Sequence, residues 1–174
     1  MKPVKNISQK ETIELLNKCW MTHDGMWFFH CLQKLGIEET NRINKSAIKS
    51  LSFIEIERIK NMLGFNIAIV NNDDFIHFFK EAYSFIIPDF MTVKLGYSEQ
   101  NKITWEFAKE KCFAYAGVKR LGVIDKYECG VLYRIKCWLE ALGIKYKFAP
   151  ESDLCLMYHK GYCSGEIQLF LQTE

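Results

Sequence analysis

Lys102-Ile103-Thr104-Trp105-Glu106-Phe107-Ala108 decides the fold of this chain. Ile103, Trp105 and Phe107 alternate with polar neighbours, the period of a strand with one buried face. Residues 91–97 alternate in the same manner. Ser98-Glu99-Gln100-Asn101 between the two runs has the composition of a hairpin turn. A helical pattern follows over 113–121, ended by Gly122. Another runs over 127–142, with Val131, Ile135, Trp138 and Leu142 in register and Gly143 after it. Residues 144–148 read as a strand and Pro150-Glu151-Ser152-Asp153 as a turn. A short strand over 154–158 and a long one over 165–171 finish the chain.

The chain before this segment is helical. Ser8, with Glu11 three residues on, has the pattern of a capping box. Ile13, Leu16, Trp20, Trp27, Cys31 and Leu35 then recur at helical spacing, and Gly36 closes the run. Asp24-Gly25 is a candidate break or kink. A second helix spans 38–63, with Ile43, Ala47, Leu51, Ile54, Arg58 and Met62 on the stripe expected to be buried and Gly64 as the stop. Asn72-Asp73-Asp74 caps a third over 75–86, ended by Pro88. Helices first, then strands with two interposed helices, make an α+β fold. The expected architecture is one domain over 1–174. Its helical half, 1–90, packs on a mainly antiparallel C-terminal sheet with two helices, 91–174.

Composition narrows the function classes. Apolar residues are 49% of the chain and charged residues 25%, which suits a packed core. No apolar run reaches the length of a membrane span, and residues 1–6 have no apolar segment like that of a signal peptide. The expected location is cytoplasmic, with reduced cysteines. Net charge is +2 and only Arg42, Arg58, Arg120 and Arg134 are arginines, which argues against nucleic acid as a partner. The chain has no Gly-x-Gly-x-x-Gly, Walker lysine loop, Gly-x-Ser-x-Gly or His-Glu-x-x-His.

Five of the seven cysteines lie at or beyond position 112. Cys112, Cys129, Cys155 and Cys163 bracket the β-rich segment, while Cys137 falls inside a helix. Cys112 stands just before a helix, where free N–H groups favour a thiolate, so it is the candidate nucleophile. His23 and Asp24 are the candidate proton-transfer pair. His30 and Trp27 share a helix face with His23. Trp27, His30, Arg58, Trp105 and Cys129 are the candidate ligand-binding residues, Arg58 because a charge on a buried stripe needs a carboxylate partner. Cys155, Cys163 and His159 are candidate metal ligands, although no Cys-x-x-Cys occurs and no motif requires a cofactor. Packing of buried thiols as small apolar groups is the competing reading throughout.

Thr22-His23-Asp24-Gly25-Met26-Trp27-Phe28-Phe29 resembles a motif of the form x-x-Asp-Gly-hydrophobic-Trp-Phe. That motif opens a group of uncharacterised prokaryotic cytosolic proteins related to the L-2-amino-thiazoline-4-carboxylic acid hydrolase-like family. Ile54-Glu55-Ile56-Glu57-Arg58-Ile59-Lys60 resembles the group's second helix. The Cys112 segment, the Cys129 helix and the Cys155…Cys163 pair resemble its C-terminal cysteine pattern. The resemblance implies a helical N-terminus, a cysteine-containing C-terminal sheet, and a hydrolase of small cyclic or amide substrates with a cysteine nucleophile. More distantly, the chain resembles 4-vinyl-reductase-type domains, which bind small hydrophobic molecules. It departs from the pattern where Leu156-Met157-Tyr158-His159-Lys160-Gly161-Tyr162 stands in place of a Pro-rich loop. The leading expectation is binding of a small organic molecule, in an aromatic- and thiol-lined pocket between the N-terminal helices and the sheet. A cysteine hydrolase, a metal-binding or redox-sensing protein, and a homodimer built on surplus aromatics remain open beside it.

Overall fold

Ser8 starts the longest element. Its Oγ accepts the Glu11 N–H at 3.2 Å, and its own N–H donates to Glu11 Oε2 at 3.0 Å, the capping box expected from the sequence. The computed structural model describes residues 6–65, 71–98 and 100–171, so Glu99 of the hairpin turn and residues 1–5 lie outside it. From Ser8 the chain runs as α1 (Gln9–Leu63) to a left-handed cap at Gly64. The only non-helical backbone inside α1 is Gly36, at φ 75° and ψ 175°, a conformation that suits glycine. Gly36 therefore divides α1 into two arms, as its sequence position implied. The helix passes through Asp24-Gly25 without a break, and a Cβ at Gly25 would rest 4.0 Å from Phe113.

α2 (Asn72–Ile86) is capped by Asn71, whose Oδ1 accepts the Asp74 N–H at 2.8 Å. A 3₁₀ turn, Asp89–Met91, follows Pro88. Then come β1 (Val93–Ser98), β2 (Lys102–Phe107), α3 (Phe113–Arg120), α4 (Gly130–Ala141), β3 (Lys145–Ala149), α5 (Leu156–His159) and β4 (Cys163–Phe170). The four strands form one antiparallel sheet in the order β1-β2-β4-β3, so the fold is α+β. The expected strand over 154–158 is α5 instead, and only Leu154 makes a bridge, to Glu128. Ile103, Trp105, Phe107, Phe148, Ile167 and Leu169 belong to one core cluster with the α2 residues Phe75, Phe78 and Phe79 and with Trp138 and Leu139 of α4.

The arms of α1 correct the sequence reading. On the outer arm Ile13, Leu16, Trp27 and Leu35 are exposed. On the inner arm Ile43, Ile54 and Met62 are exposed as well, and so is Arg58. The buried face carries Thr40, Asn41, Ser52, Glu55, Ile56 and Ile59. Four of these are polar, so a search for apolar spacing selects the neighbouring stripe. Each polar one has a partner: Thr40 Oγ1 donates to the Gly36 carbonyl oxygen at 2.6 Å and Ser52 Oγ to that of Ile48 at 2.8 Å.

Candidate functional site: a helix-walled cavity beside four thiols

Asn41 ties the inner arm of α1 to the segment before α4. Its Nδ2 donates to the Lys126 carbonyl oxygen at 2.8 Å, and its Oδ1 accepts the Glu128 N–H at 3.2 Å. Gly130 lets the start of α4 come close. A Cβ there would lie 2.9 Å from Ile48 Cδ1 and 3.0 Å from Asn44 Nδ2, so only glycine fits without displacement. One turn further on, Arg134 Nε donates to Glu55 Oε2 at 3.0 Å, and its Nη2 contacts Oε1. Trp138 Nε1 donates to the same Oε2 at 2.7 Å. The Arg134 guanidinium also stacks over Trp20, 5.0 Å from the ring centre. Glu55 is 7% exposed, so this network supplies the compensation that a buried carboxylate needs.

The outer arm of α1, α3 and α4 splay around this network and enclose a cavity of about 450 Å³. Aromatic walls come from Trp20, Phe28, Phe29, Phe113, Tyr127 and Trp138. Asp24, Asn44, Arg120 and Arg134 are polar residues at its edge. Partial burial pushes the Asp24 carboxyl above its ordinary pKa, against His23 and Arg134, which pull it down. Its side chain keeps 61% of its exposure, so the upward push stays modest in energy. Tyr127 Oη accepts the Gly130 N–H at 3.0 Å, which leaves its own O–H free to donate.

The cavity differs in two ways from the expected pocket. Its walls come from helices and the segments that join them, such as Ile87, Leu121 and Tyr127, and no strand residue lines it among the described residues. No cysteine lines it among the described residues. Of the candidate ligand-binding residues, Trp27 is 64% exposed on the outer face of α1. His30 and Arg58 are also exposed. Trp105 is buried under the sheet and Cys129 caps α4, so neither reaches the cavity. Asp24 alone among the candidates lines it. Its neighbour His23 accepts the Trp27 Nε1–H at 3.2 Å on the exposed side. The sequence reading placed Arg58 on the buried stripe, whereas the structure buries Glu55 there and pairs it with Arg134. The signal was present, since Arg134 interrupts the apolar face of Val131, Ile135 and Trp138.

Cysteines gather at the helix starts. Cys112, Cys129 and Cys155 are the N-cap residues of α3, α4 and α5, and Cys163 opens β4 opposite Phe107. The Glu128–Leu154 bridge and the Cys129 N–H, which donates to the Asp153 carbonyl oxygen at 2.6 Å, lay two of these caps side by side. All four residues are buried. Cys112, Cys129 and Cys163 each feel two of the other thiols, and Cys155 is common to all three. Burial pushes Cys112 up to about 11, with the Tyr115 and Ala114 N–H groups opposing it. It pushes Cys129 and Cys163 up to about 12, and it raises Cys155 too. Helix-start N–H groups favour the thiolates of Cys112, Cys129 and Cys155 without closing a standard capping hydrogen bond. Desolvation outweighs the helix N-terminus, so the thiolate expected at Cys112 is disfavoured near neutral pH.

The nucleophile reading grouped Cys112 with His23 and Asp24, but the titratable side chains that act on its thiol are Cys163 and Cys155. His159 is exposed, and its Nε2 donates to the Asp125 carbonyl oxygen at 3.1 Å. Among the described residues no three His, Cys, Asp or Glu side chains stand close enough to hold a metal ion. The four thiols are neighbours without being a coordination shell. Also among the described residues, no helix is long and apolar enough to cross a membrane.

Residues 5–147 match the family described as "Family of unknown function (DUF6125)", and the chain belongs to that family. No curated protein and no solved structure matches it.

Proposed function

We propose that this protein binds a small organic molecule in the cavity between α1, α3 and α4, in a reducing compartment such as the cytoplasm. The cavity itself carries the reading. At about 450 Å³ it falls within the roughly 300–1,000 Å³ of ligand sites, and it has their make-up of apolar walls with a few polar groups. The ligand is an apolar body with one polar end. Glu55 neutralises Arg134 but uses only part of its fork of donors, so an acceptor on the ligand meets Arg134. A donor meets Asp24. Native mass spectrometry before and after denaturation tests this, together with uptake of an apolar fluorescent dye. Gly117 lines the cavity, and a Cβ there would meet nothing within 4 Å. Gly117→Leu should therefore fill the space and abolish uptake while the fold persists. Unchanged dye uptake in that variant defeats the reading.

A cysteine hydrolase would need a thiolate, and the raised Cys112 pKa weighs against it. Selective alkylation of Cys112 below pH 9 would restore that reading.

The buried thiols also set an alkaline limit on stability. Cys112, Cys129 and Cys163 each hold in the folded state a proton that the unfolded chain releases above its ordinary pKa of 9.0. Stability is therefore complete below pH 9 and falls as pH rises toward the folded values, by about 1.4 kcal/mol per pH unit per thiol. Urea midpoints that do not fall above pH 9 would show that these thiols are not buried.

A further inference from the structure

Gly130 brings two hydrogen-bond donors of the cavity wall together. A Cβ built on it would lie 3.0 Å from Asn44 Nδ2 and 3.2 Å from Tyr127 Oη. Those two atoms therefore stand no further apart than one oxygen can bridge with two ordinary hydrogen bonds. All three residues line the cavity. Tyr127 is 4% exposed. Its oxygen accepts the Gly130 N–H, and its own O–H has no acceptor among the described residues. Asn44 Nδ2 has none either. A buried donor left without an acceptor is costly, and native structures rarely keep one. Here two of them share one wall.

We infer that the ligand enters this wall with a neutral carbonyl oxygen, which receives the Tyr127 O–H and the Asn44 Nδ2–H together. The inference deepens the reading of the cavity as a small-molecule site and rests on it. A carbonyl suits the pair because it offers two lone pairs and brings no hydrogen of its own. The neighbours of the pair could not take such a hydrogen: Ile48 Cδ1 lies against Gly130, and the Phe28 ring stands edge-on to Tyr127 at 5.7 Å. Charge argues for a neutral group. Arg134 lies four residues beyond Gly130, one turn along the same face of α4, but Glu55 already holds it. That pair has no net charge with which to offset a buried carboxylate, and an unpaired buried carboxylate is expensive. Arg120, the other arginine of the lining, is exposed, and Asp24 adds a negative charge to the same cavity. The ligand class is therefore an apolar, aromatic-sized ketone, ester or amide rather than an acid.

Calorimetric titration of the full chain with acetylnaphthalene, ethylnaphthalene, naphthylethanol and naphthoate, all substituted at the same ring position, tests this. Acetylnaphthalene should bind roughly tenfold more tightly than ethylnaphthalene, the scale of the hydrogen bonds gained. Its infrared carbonyl band should move to lower frequency on binding. Asn44→Leu should cut the preference for ketone over hydrocarbon about fivefold and reverse part of the band shift, and Tyr127→Phe should do the same. Circular dichroism controls for folding. If Tyr127→Phe fails to fold, having lost the acceptor of the Gly130 N–H, Asn44→Leu still decides, since it removes no hydrogen bond among the described residues. Equal affinity for ketone and hydrocarbon, tighter binding of the alcohol or the acid, or an unchanged preference in Asn44→Leu overturns the inference and leaves the cavity reading standing. Failure of all four probes to bind defeats that reading, and the inference falls with it.

Discussion

Two arms of one helix meet opposite fates across Gly36. The outer arm exposes Leu16 and Trp27 at 63% and 64%, while the inner arm holds Asn41 at 3% and Ser52 at 0%. Hydropathy alone would predict the reverse. What separates them is the presence of partners. Asn41 finds a carbonyl and an N–H in the segment before α4, and Glu55 finds Arg134 and Trp138 on α4 itself. A buried polar group with its hydrogen bonds made costs little, and it fixes one register of the inner arm on α4. On the outer arm Trp20 and Phe28 reach the cavity, while Leu16 and Trp27 stay exposed among the described residues.

The largest break in this comparison should come from Glu55→Ala. It leaves the Arg134 guanidinium and the Trp138 N–H without their acceptor, which for a broken buried pair costs about 3–5 kcal/mol. Urea unfolding of the variant should show it. Leu16→Ala on the outer arm should move the same midpoint by only about 0.5 kcal/mol or less. Equal losses at the two positions would mean that the arms are not energetically distinct.

Asn41→Ala should come next. Two backbone groups, the Lys126 carbonyl and the Glu128 N–H, lose their partner, a cost of roughly 1–3 kcal/mol. The bond to Glu128 stands next to Cys129, so the variant should also speed reaction of that thiol with a disulfide reagent. A destabilised variant with unchanged thiol reactivity would show that Asn41 holds the inner arm but not the cysteine cluster.

Much of the fold was legible because local chemistry decides it. Ser8 with Glu11, Gly36 and Gly64 marked the ends of both arms, and the alternation about Trp105 marked the hairpin. The inner arm's buried stripe was hidden because it runs through four polar residues: Thr40 and Ser52 bond back to their own helix, while Asn41 and Glu55 find partners far along the chain. Glu55 and Arg134 are 79 positions apart, and nothing local links them. α5 was read as a strand because Leu154 to Tyr158 is a short apolar run, which periodicity cannot assign. The four thiols were visible as a set. Their meeting depends on β4 lying beside β2 and on the Glu128–Leu154 bridge, and these are properties of the fold as a whole.

The smallest expected effect, Ser8→Ala, tests whether the outer arm belongs to the same cooperative unit as the rest. The substitution removes the Oγ that accepts the Glu11 N–H, and a lost cap costs about 1 kcal/mol of local helix stability. If the arm frays by itself, amide exchange should quicken in its first turns while the global urea midpoint stays within about 0.3 kcal/mol, because local opening does not draw on the core. If the arm unfolds together with the core, most of the loss should instead appear as a lower global midpoint. Exchange and midpoint together therefore separate the two cases. A cap effect seen in the midpoint places the arm inside the cooperative unit, and one confined to exchange in the first turns places it outside.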